Sequence, residues 1–265
     1  MIFYLLITSL YLSGKEISQG GLILGKLSMP GQVYLNDKSL NVNKVDSFYV
    51  FILGASFLTP PGIHLLRAVS SSFSLEETIY VKKRRFPVQY IKFSKEKRKL
   101  FYNKRIKEER KRIKKILNNP SSSFYSICAE CVPVHGKITT YYGVERREGK
   151  KKLWHHSGID IGTSFFTPVL APCRGKIVLS DSFVLPGNLI IIDHGAGLKT
   201  VYYHLAKRKV KEGEVVECKD TIGFVGDTGL STGPHLHFGV YVNGVCVDPI
   251  EWVKESKKWK KEFSH

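Results

Sequence analysis

The apolar positions of this chain come in short bursts, and over most of its length they repeat every two residues. Between Ile17 and Phe93, runs such as GLILGKL, SFYVFILG and ETIYVKK are rich in Val, Ile, Phe and Tyr and are separated by Pro-Gly and Asn-Asp turns. Branched and aromatic side chains pack well on a pleated surface, and turn residues close the hairpins, so residues 17–93 are expected to form a small β-sandwich-like domain. His64 stands alone in an apolar stretch of it and reads as a satisfied structural residue.

The period changes at Lys95. KEKRKLFYNKRIKEERKRIKKIL, residues 95–117, contains no Gly or Pro, and Tyr102, Ile106, Ile113 and Leu117 recur at spacings of four or seven. That spacing predicts one basic linker helix within 94–119, packing a narrow apolar stripe on a neighbour. NNPSSS then ends it with turn residues. From Phe124 to Trp252 the runs are strand-like again, among them GKITTYYG, NLIIIDHG, KTVYYHL and HLHFGVYVNG. They predict an antiparallel β-domain with glycine-rich turns over 124–252. Helical spacing returns only in DPIEWVKESKKWKKEF, and 253–265 is expected to be a basic tail. The fold class is mainly β.

The opening MIFYLLITSLYLSGK is too short to span a membrane but has the length of a signal-peptide core, so residues 1–16 are expected to be a signal or anchor segment; the alternatives are a first strand or a mis-set start codon.

Charge adds a surface property. The 265 residues carry 41 Lys and Arg against 23 Asp and Glu, a formal charge of +18, and half of it falls in residues 95–117. Such a field favours polyanions, whether nucleic acid, anionic lipid or an anionic wall polymer, without choosing among them. Five cysteines, Cys128, Cys131, Cys173, Cys218 and Cys246, form no dense framework. CAEC (128–131) can be half of a zinc site, a redox pair or a small disulfide; with no second CxxC, a buried or locally paired thiol set is the plainer expectation. The glycines of GFVGDTGLSTGPH lack the ending of a phosphate-binding loop.

Histidines change the picture most. Seven of nine lie between Phe124 and Trp252, with His156 and Asp160 in HHSGID, His204 in YYHL, and His235 and His237 in HLHFG. In a strand, residues i and i+2 face the same way, so His235 and His237 point together. Two imidazoles buried without partners would cost about 1–3 kcal/mol per unsatisfied group, a cost that a metal ion relieves by taking lone pairs. A histidine and the aspartate of HHSGID plus a histidine of HLHFG make a three-ligand N and O set with a fourth position left for water, the arrangement of a catalytic zinc. His194 and Asp193, in IDHGAG, read as turn-shaping and structural, with a supporting role beside the metal as the alternative for Asp193.

HHSGIDIG, VYYHLAK and GDTGLSTGPHLHFGVYVNG, in that order and flanked by GKITTYYGVERR and DPIEW, resemble the motifs of the M23 family of zinc endopeptidases, the LytM and lysostaphin type. The resemblance runs from about Pro133 to Pro249. It implies Zn2+ held by His156, Asp160 and His237, with His204 and His235 as an uncoordinated catalytic pair. His155, beside the first ligand, is then a surface or supporting residue. It also implies hydrolysis of peptide bonds in peptidoglycan, in a cell-envelope location, periplasmic or extracellular. The basic helix is expected to favour a membrane or anionic wall polymer, no nucleic acid is expected, and the 120 residues before the motifs are expected to position or cover the groove. A non-catalytic regulator that binds the wall and activates other hydrolases is the alternative.

Overall fold

The computed structural model describes residues 9–262, so the first eight residues of the expected signal segment lie outside the described residues. The second half of that segment contains a short strand, β1 (Leu10–Leu12). It is followed by β2 (Glu16–Ser18), β3 (Leu22–Leu27), β4 (Gln32–Leu35), β5 (Lys38–Leu40), β6 (Val42–Val45), β7 (Phe48–Gly54), β8 (Gly62–Val69) and β9 (Ser74–Lys82). These build a four-stranded sheet, β1-β3-β7-β6, and a five-stranded sheet, β2-β9-β8-β4-β5. Ile23, Leu27, Phe51 and Leu53 of the first pack on Val33, Leu66, Ala68, Ile79 and Val81 of the second. Along β9 burial alternates, as a half-exposed strand requires.

β3 and β7 do not alternate, because both of their faces are covered. Ile23, Phe51 and Leu53 face the sandwich, while Leu22, Leu24, Val50 and Ile52 enter the core of the C-terminal unit. The continuous apolar runs LILGKL and FYVFILG are those of a sheet with no wet side. His64 is held by Asn36 and the Pro60 carbonyl, in keeping with a structural residue.

After β9 the chain enters β10 (Val88–Tyr90), α1 (Lys95–Leu100) and α2 (Ile106–Asn118). The single helix expected over 95–117 is thus two. Ser94 caps α1 by accepting from the Lys97 amide, and between the helices the Asn103 side chain accepts from the Arg105 amide, a local bond that competes with helix continuation. The break resets the phase of the stripe. Tyr102 is 86% exposed, while Ile113, Ile116 and Leu117 cover Leu179, Phe183, Leu189, Ile191 and Val201. Phe101 turns inward instead, against Phe93 and Trp154.

The C-terminal unit comprises β11 (Lys137–Thr140), β12 (Glu145–Glu148), β13 (Lys151–His155), β14 (Ile159–Gly162), β15 (Pro168–Leu170), β16 (Gly175–Phe183), β17 (Gly187–Gly195), β18 (Leu198–Arg208), β19 (Val215–Val216), β20 (Thr221–Val225), β21 (His235–Val242), β22 (Val245–Val247) and α3 (Pro249–Glu262). Its main sheet runs β11-β14-β21-β18-β17-β16-β19, with antiparallel neighbours. β10 pairs in parallel with β12, so the connecting segment is stitched into this unit. α3 crosses the boundary expected at 252: Trp252 and Trp259 are both fully buried in the core, and the Trp252 indole donates to the Ile127 carbonyl at 3.0 Å. No helix among the described residues is long and apolar enough to cross a membrane.

Candidate active site

Strand register brings the predicted residues together. Asp160 on β14 lies opposite His237 on β21, and His237 lies opposite Tyr203 on β18. On β21, Leu236, Phe238, Val240 and Val242 enter the core, so His235 and His237 share the other face. His156 follows β13 and returns to the same corner through Gly158. A Cβ there would sit 2.3 Å from the Phe238 carbonyl oxygen, so the close crossing over β21 requires glycine. His204 has φ of 64°, a left-handed conformation unusual for a non-glycine residue. It breaks the period of two, so that Tyr203 and His204 in succession both line the groove.

His156 Nε2, Asp160 Oδ1 and His237 Nδ1 form a triangle with every edge 2.9 Å. All three residues are buried. His156 Nδ1 lies 3.0 Å from the Tyr141 carbonyl, which can only accept, so this nitrogen carries the hydrogen and Nε2 of the neutral ring carries a lone pair. Asp160 Oδ1 is an acceptor as well. A hydrogen on His237 Nδ1 can satisfy one of them and not both, so the corner holds converging lone pairs that a cation relieves. Tetrahedral ligands at about 2.0–2.1 Å from zinc stand about 3.3 Å apart, close to the triangle seen. Among the described residues, this is the group of ligand atoms close enough together to hold a metal ion.

His204 and His235 flank the corner with their rings 4.9 Å apart. His204 Nδ1 is 2.8 Å from the Thr228 carbonyl, and His235 Nδ1 is 2.8 Å from the Gly233 carbonyl with Ser231 Oγ at 3.2 Å. Both Nδ1 atoms therefore donate, which leaves each Nε2 with its lone pair when the ring is neutral. His235 Nε2 stands 3.7 Å from Asp160 Oδ1. Burial, aided by the neighbouring His235 and His237, pushes His204 down to about 3, and burial lowers His237 to about 4 against the pull of Asp160. Burial works to raise the Asp160 carboxyl, but the His156 and His237 imidazoles against it outweigh burial and hold the group far below the usual carboxylate range.

Two residues without a role in the sequence reading complete the corner. Arg146 on β12 donates to Asp160 Oδ2 at 2.5 Å and to Thr140 Oγ1 at 3.3 Å. It occupies the second carboxylate oxygen and leaves Oδ1 to the corner. Tyr203 stacks on the His237 imidazole, centroids 4.9 Å apart at 18°, and fixes its plane. GVERR and VYYHL contain both residues, but only the packing of β12 and β18 beside the ligand strands reveals the contacts.

The remaining candidates lie elsewhere. His155 donates to or accepts from nothing in the corner: its Nδ1 is 2.9 Å from the Gly143 carbonyl and its ring stacks on Phe57. Asp193 binds Ser121 Oγ at 2.6 Å, the Gly195 amide and Lys199, a buried network far from a ligand role.

A cavity of about 670 Å³ opens on the corner, with His156, His204, His237, Trp154 and Tyr241 on the sheet side and Ile106, Arg110, Ile113 and Lys114 of α2 opposite. A second, of about 340 Å³, holds Asp160, His235, Gln89 and Phe93, and Arg146 borders both. Arg112 to Asp181 at 2.5 Å, and Glu109 accepting from the Val184 amide at 2.8 Å, hold α2 in place as a wall of the groove.

Residues 154–249 match peptidase family M23. The DD-carboxypeptidase/endopeptidase Mpg of Neisseria meningitidis serogroup B is 42% identical over 118 residues, 44% of this chain and 27% of that protein. The peptidoglycan DD-endopeptidase ShyB of Vibrio cholerae serotype O1 is 38% identical over 96 residues, 36% of this chain and 22% of that protein. The chain thus spans about a quarter of the length of these curated relatives. A Pseudomonas aeruginosa crystal structure that carries the peptidase M23 name superimposes with a TM-score of 0.70 over 89% of this chain and 94% of that one, at 24% identity, and shows the same fold. The stretch that matches peptidase family M23 holds His156, Asp160, His204, His235 and His237 alike, so the likeness covers every residue of the corner.

Proposed function

We propose that this protein is a zinc-dependent endopeptidase that hydrolyses peptide bonds in the stem peptides or cross-bridges of peptidoglycan, within the cell envelope. The observation that carries the reading is the triangle of lone pairs of His156, Asp160 and His237 with two further imidazoles beside it. The substrate class is supported by relatives named for action on peptidoglycan.

The chemistry a zinc ion would supply here is Lewis acidity toward a water and a peptide carbonyl. The chain's own groups do the rest. Of His204 and His235, each with Nδ1 tied to a carbonyl, one accepts the proton of the attacking water at Nε2 and returns it to the leaving amine. The other stands beside the developing oxyanion and donates to it at Nε2 with a proton taken up from solvent. The groove between β21, β18 and α2 admits an extended peptide, and Arg110, Lys114 and Lys38 on its lining attract a carboxylate-bearing one. The remaining basic surface suits an anionic wall polymer.

The test is mass spectrometry of the fragments released from several wall types by the zinc-loaded protein. Cut stem or bridge peptides, absent after chelation and restored by zinc, are the expected result. A protein that holds one zinc per chain and releases no peptide-cleaved fragment from any wall would overturn the substrate; failure to bind zinc would overturn the reading altogether.

A further inference from the structure

Four of the five cysteines gather around the segment Ala171–Pro172–Cys173 that follows β15. The amides of Glu130 and Cys131 both donate to the Pro172 carbonyl, at 2.8 and 3.3 Å, and the Lys219 amide donates to the Ala171 carbonyl at 2.9 Å. The strand-free stretch before β11 and the turn between β19 and β20 are thereby pinned to the same two carbonyls. The pinning sets their side chains against one another: Cys131 Sγ and Cys218 Sγ lie 3.7 Å apart, each also beside a backbone oxygen of Ala171 or Pro172.

We propose that Cys131 and Cys218 are a disulfide-forming pair that clamps the 119–136 segment to the β19–β20 turn. A small disulfide within CAEC is one of the readings the motif leaves open, but the sulfur packed against Cys131 belongs to a residue 87 positions away. A shared metal is disfavoured by the arrangement: among the described residues, the group of three or more ligand atoms close enough for one ion is the His156, Asp160 and His237 corner, not the thiols. The nearby Cys173 is withdrawn from exchange, being fully buried with its sulfur 3.3 Å from His194 Nδ1. Cys131 and Cys218 are only partly buried and open to a small oxidant.

The chemistry is thiol–disulfide exchange with a disulfide donor, either oxidised glutathione or the disulfide of a dithiol oxidase. Burial, with Cys131 beside it, pushes the Cys218 thiol up to about 11, which disfavours Cys218 as the first attacker. The Cys131 thiolate attacks one donor sulfur, forms a mixed disulfide and expels the other donor sulfur as a thiolate. Cys218 then attacks the Cys131 sulfur, the mixed bond breaks, and the second donor sulfur leaves as a thiolate. Two protein thiols are oxidised, one donor disulfide is reduced, and the two protons pass to the two donor thiolates. Closing from 3.7 Å to the about 2.05 Å of a disulfide is a side-chain adjustment. The long loop that it closes removes much freedom from the unfolded chain. The pairing does not rest on the peptidase reading; only its persistence in a cell rests on the envelope location.

The experiment treats the full chain with excess oxidised glutathione, alkylates the remaining thiols and maps the digest by mass spectrometry without reduction. A cross-linked pair of peptides bearing Cys131 and Cys218 is expected, lost in C131S and in C218S and kept in C128S. The melting temperature of the oxidised wild type should exceed that of the reduced form by about 5–10 °C, and the difference should vanish in C131S. Neither cysteine lines a cavity at the metal corner, so wall cleavage should stay within about twofold, judged against the scatter of repeat assays. A Cys128 to Cys131 link, a disulfide-linked dimer, or thiols that stay fully reduced would each overturn the proposal. The mapping needs only the wild type, so a variant that fails to fold leaves the test intact.

Discussion

Two buried histidine sites sit on the main sheet, on β17 and on β21 with β18 between them, and they differ in one respect. Around His194, Nδ1 is 2.8 Å from the Arg174 carbonyl and Nε2 is 2.8 Å from Thr200 Oγ1, so both nitrogens have protein partners. At the corner, His156 Nε2 and Asp160 Oδ1 are acceptors 2.9 Å apart that turn toward each other, with His237 Nδ1 completing the set. Burial is common to both. What separates a structural histidine from a ligand is where its lone pairs point, and whether a donor already answers them.

Breaking the corner should have the largest effect on metal and turnover. Asp160→Ala is expected to reduce zinc from about one per chain to below about 0.1, by elemental analysis, and to lower wall cleavage at least about a thousandfold. His204→Ala and His235→Ala should keep the zinc and lower kcat by about 10² to 10⁴, because they remove proton transfer and leave the ligands in place. Zinc loss in either variant would erase the division between ligand and catalyst. Arg146→Ala should weaken zinc by about 10- to 100-fold in a competition with a chelator, with Arg146→Lys recovering part of it, since the contact to Asp160 Oδ2 orients a ligand without touching the metal.

The His194 pocket should leave zinc and turnover almost unmoved and appear in acid stability. Burial lowers His194 from an ordinary value near 6.5 to about 4. Between those values the unfolded chain binds the proton and the folded one does not, so stability is present above pH 6.5 and is lost as pH falls toward 4. The contribution is about 3 kcal/mol, and His194→Gln should flatten that part of the denaturation profile.

Much of the corner was legible because it depends on short-range geometry. The strand period puts His235 and His237 on one face, and the glycine of HHSGID permits a close turn. Arg146 and Tyr203 were not legible as contacts, because β12 and β18 reach the corner through pairings between strands far apart in the chain. The same limit explains α1 and α2. A stripe counted at uniform helical spacing cannot register the Asn103 bond that resets it, so such a stripe puts Tyr102 inward and passes over Ile116. Trp259 shows the reverse error: a lysine-rich tail looks solvated until one buried indole shows which face is docked.

The four-stranded sheet shared by both cores has a bearing on cooperativity. Melting the sandwich would strip one face of β3 and β7 and leave Leu22, Leu24, Val50 and Ile52 of the other face on strands without support. Neither half can open cheaply while the other stays intact, so calorimetry should record one transition with equal calorimetric and van't Hoff enthalpies. By the same coupling, the segment 154–249 is not expected to stand free as a folded unit: its hydrophobic interior is completed by strands laid down more than a hundred residues earlier in the chain.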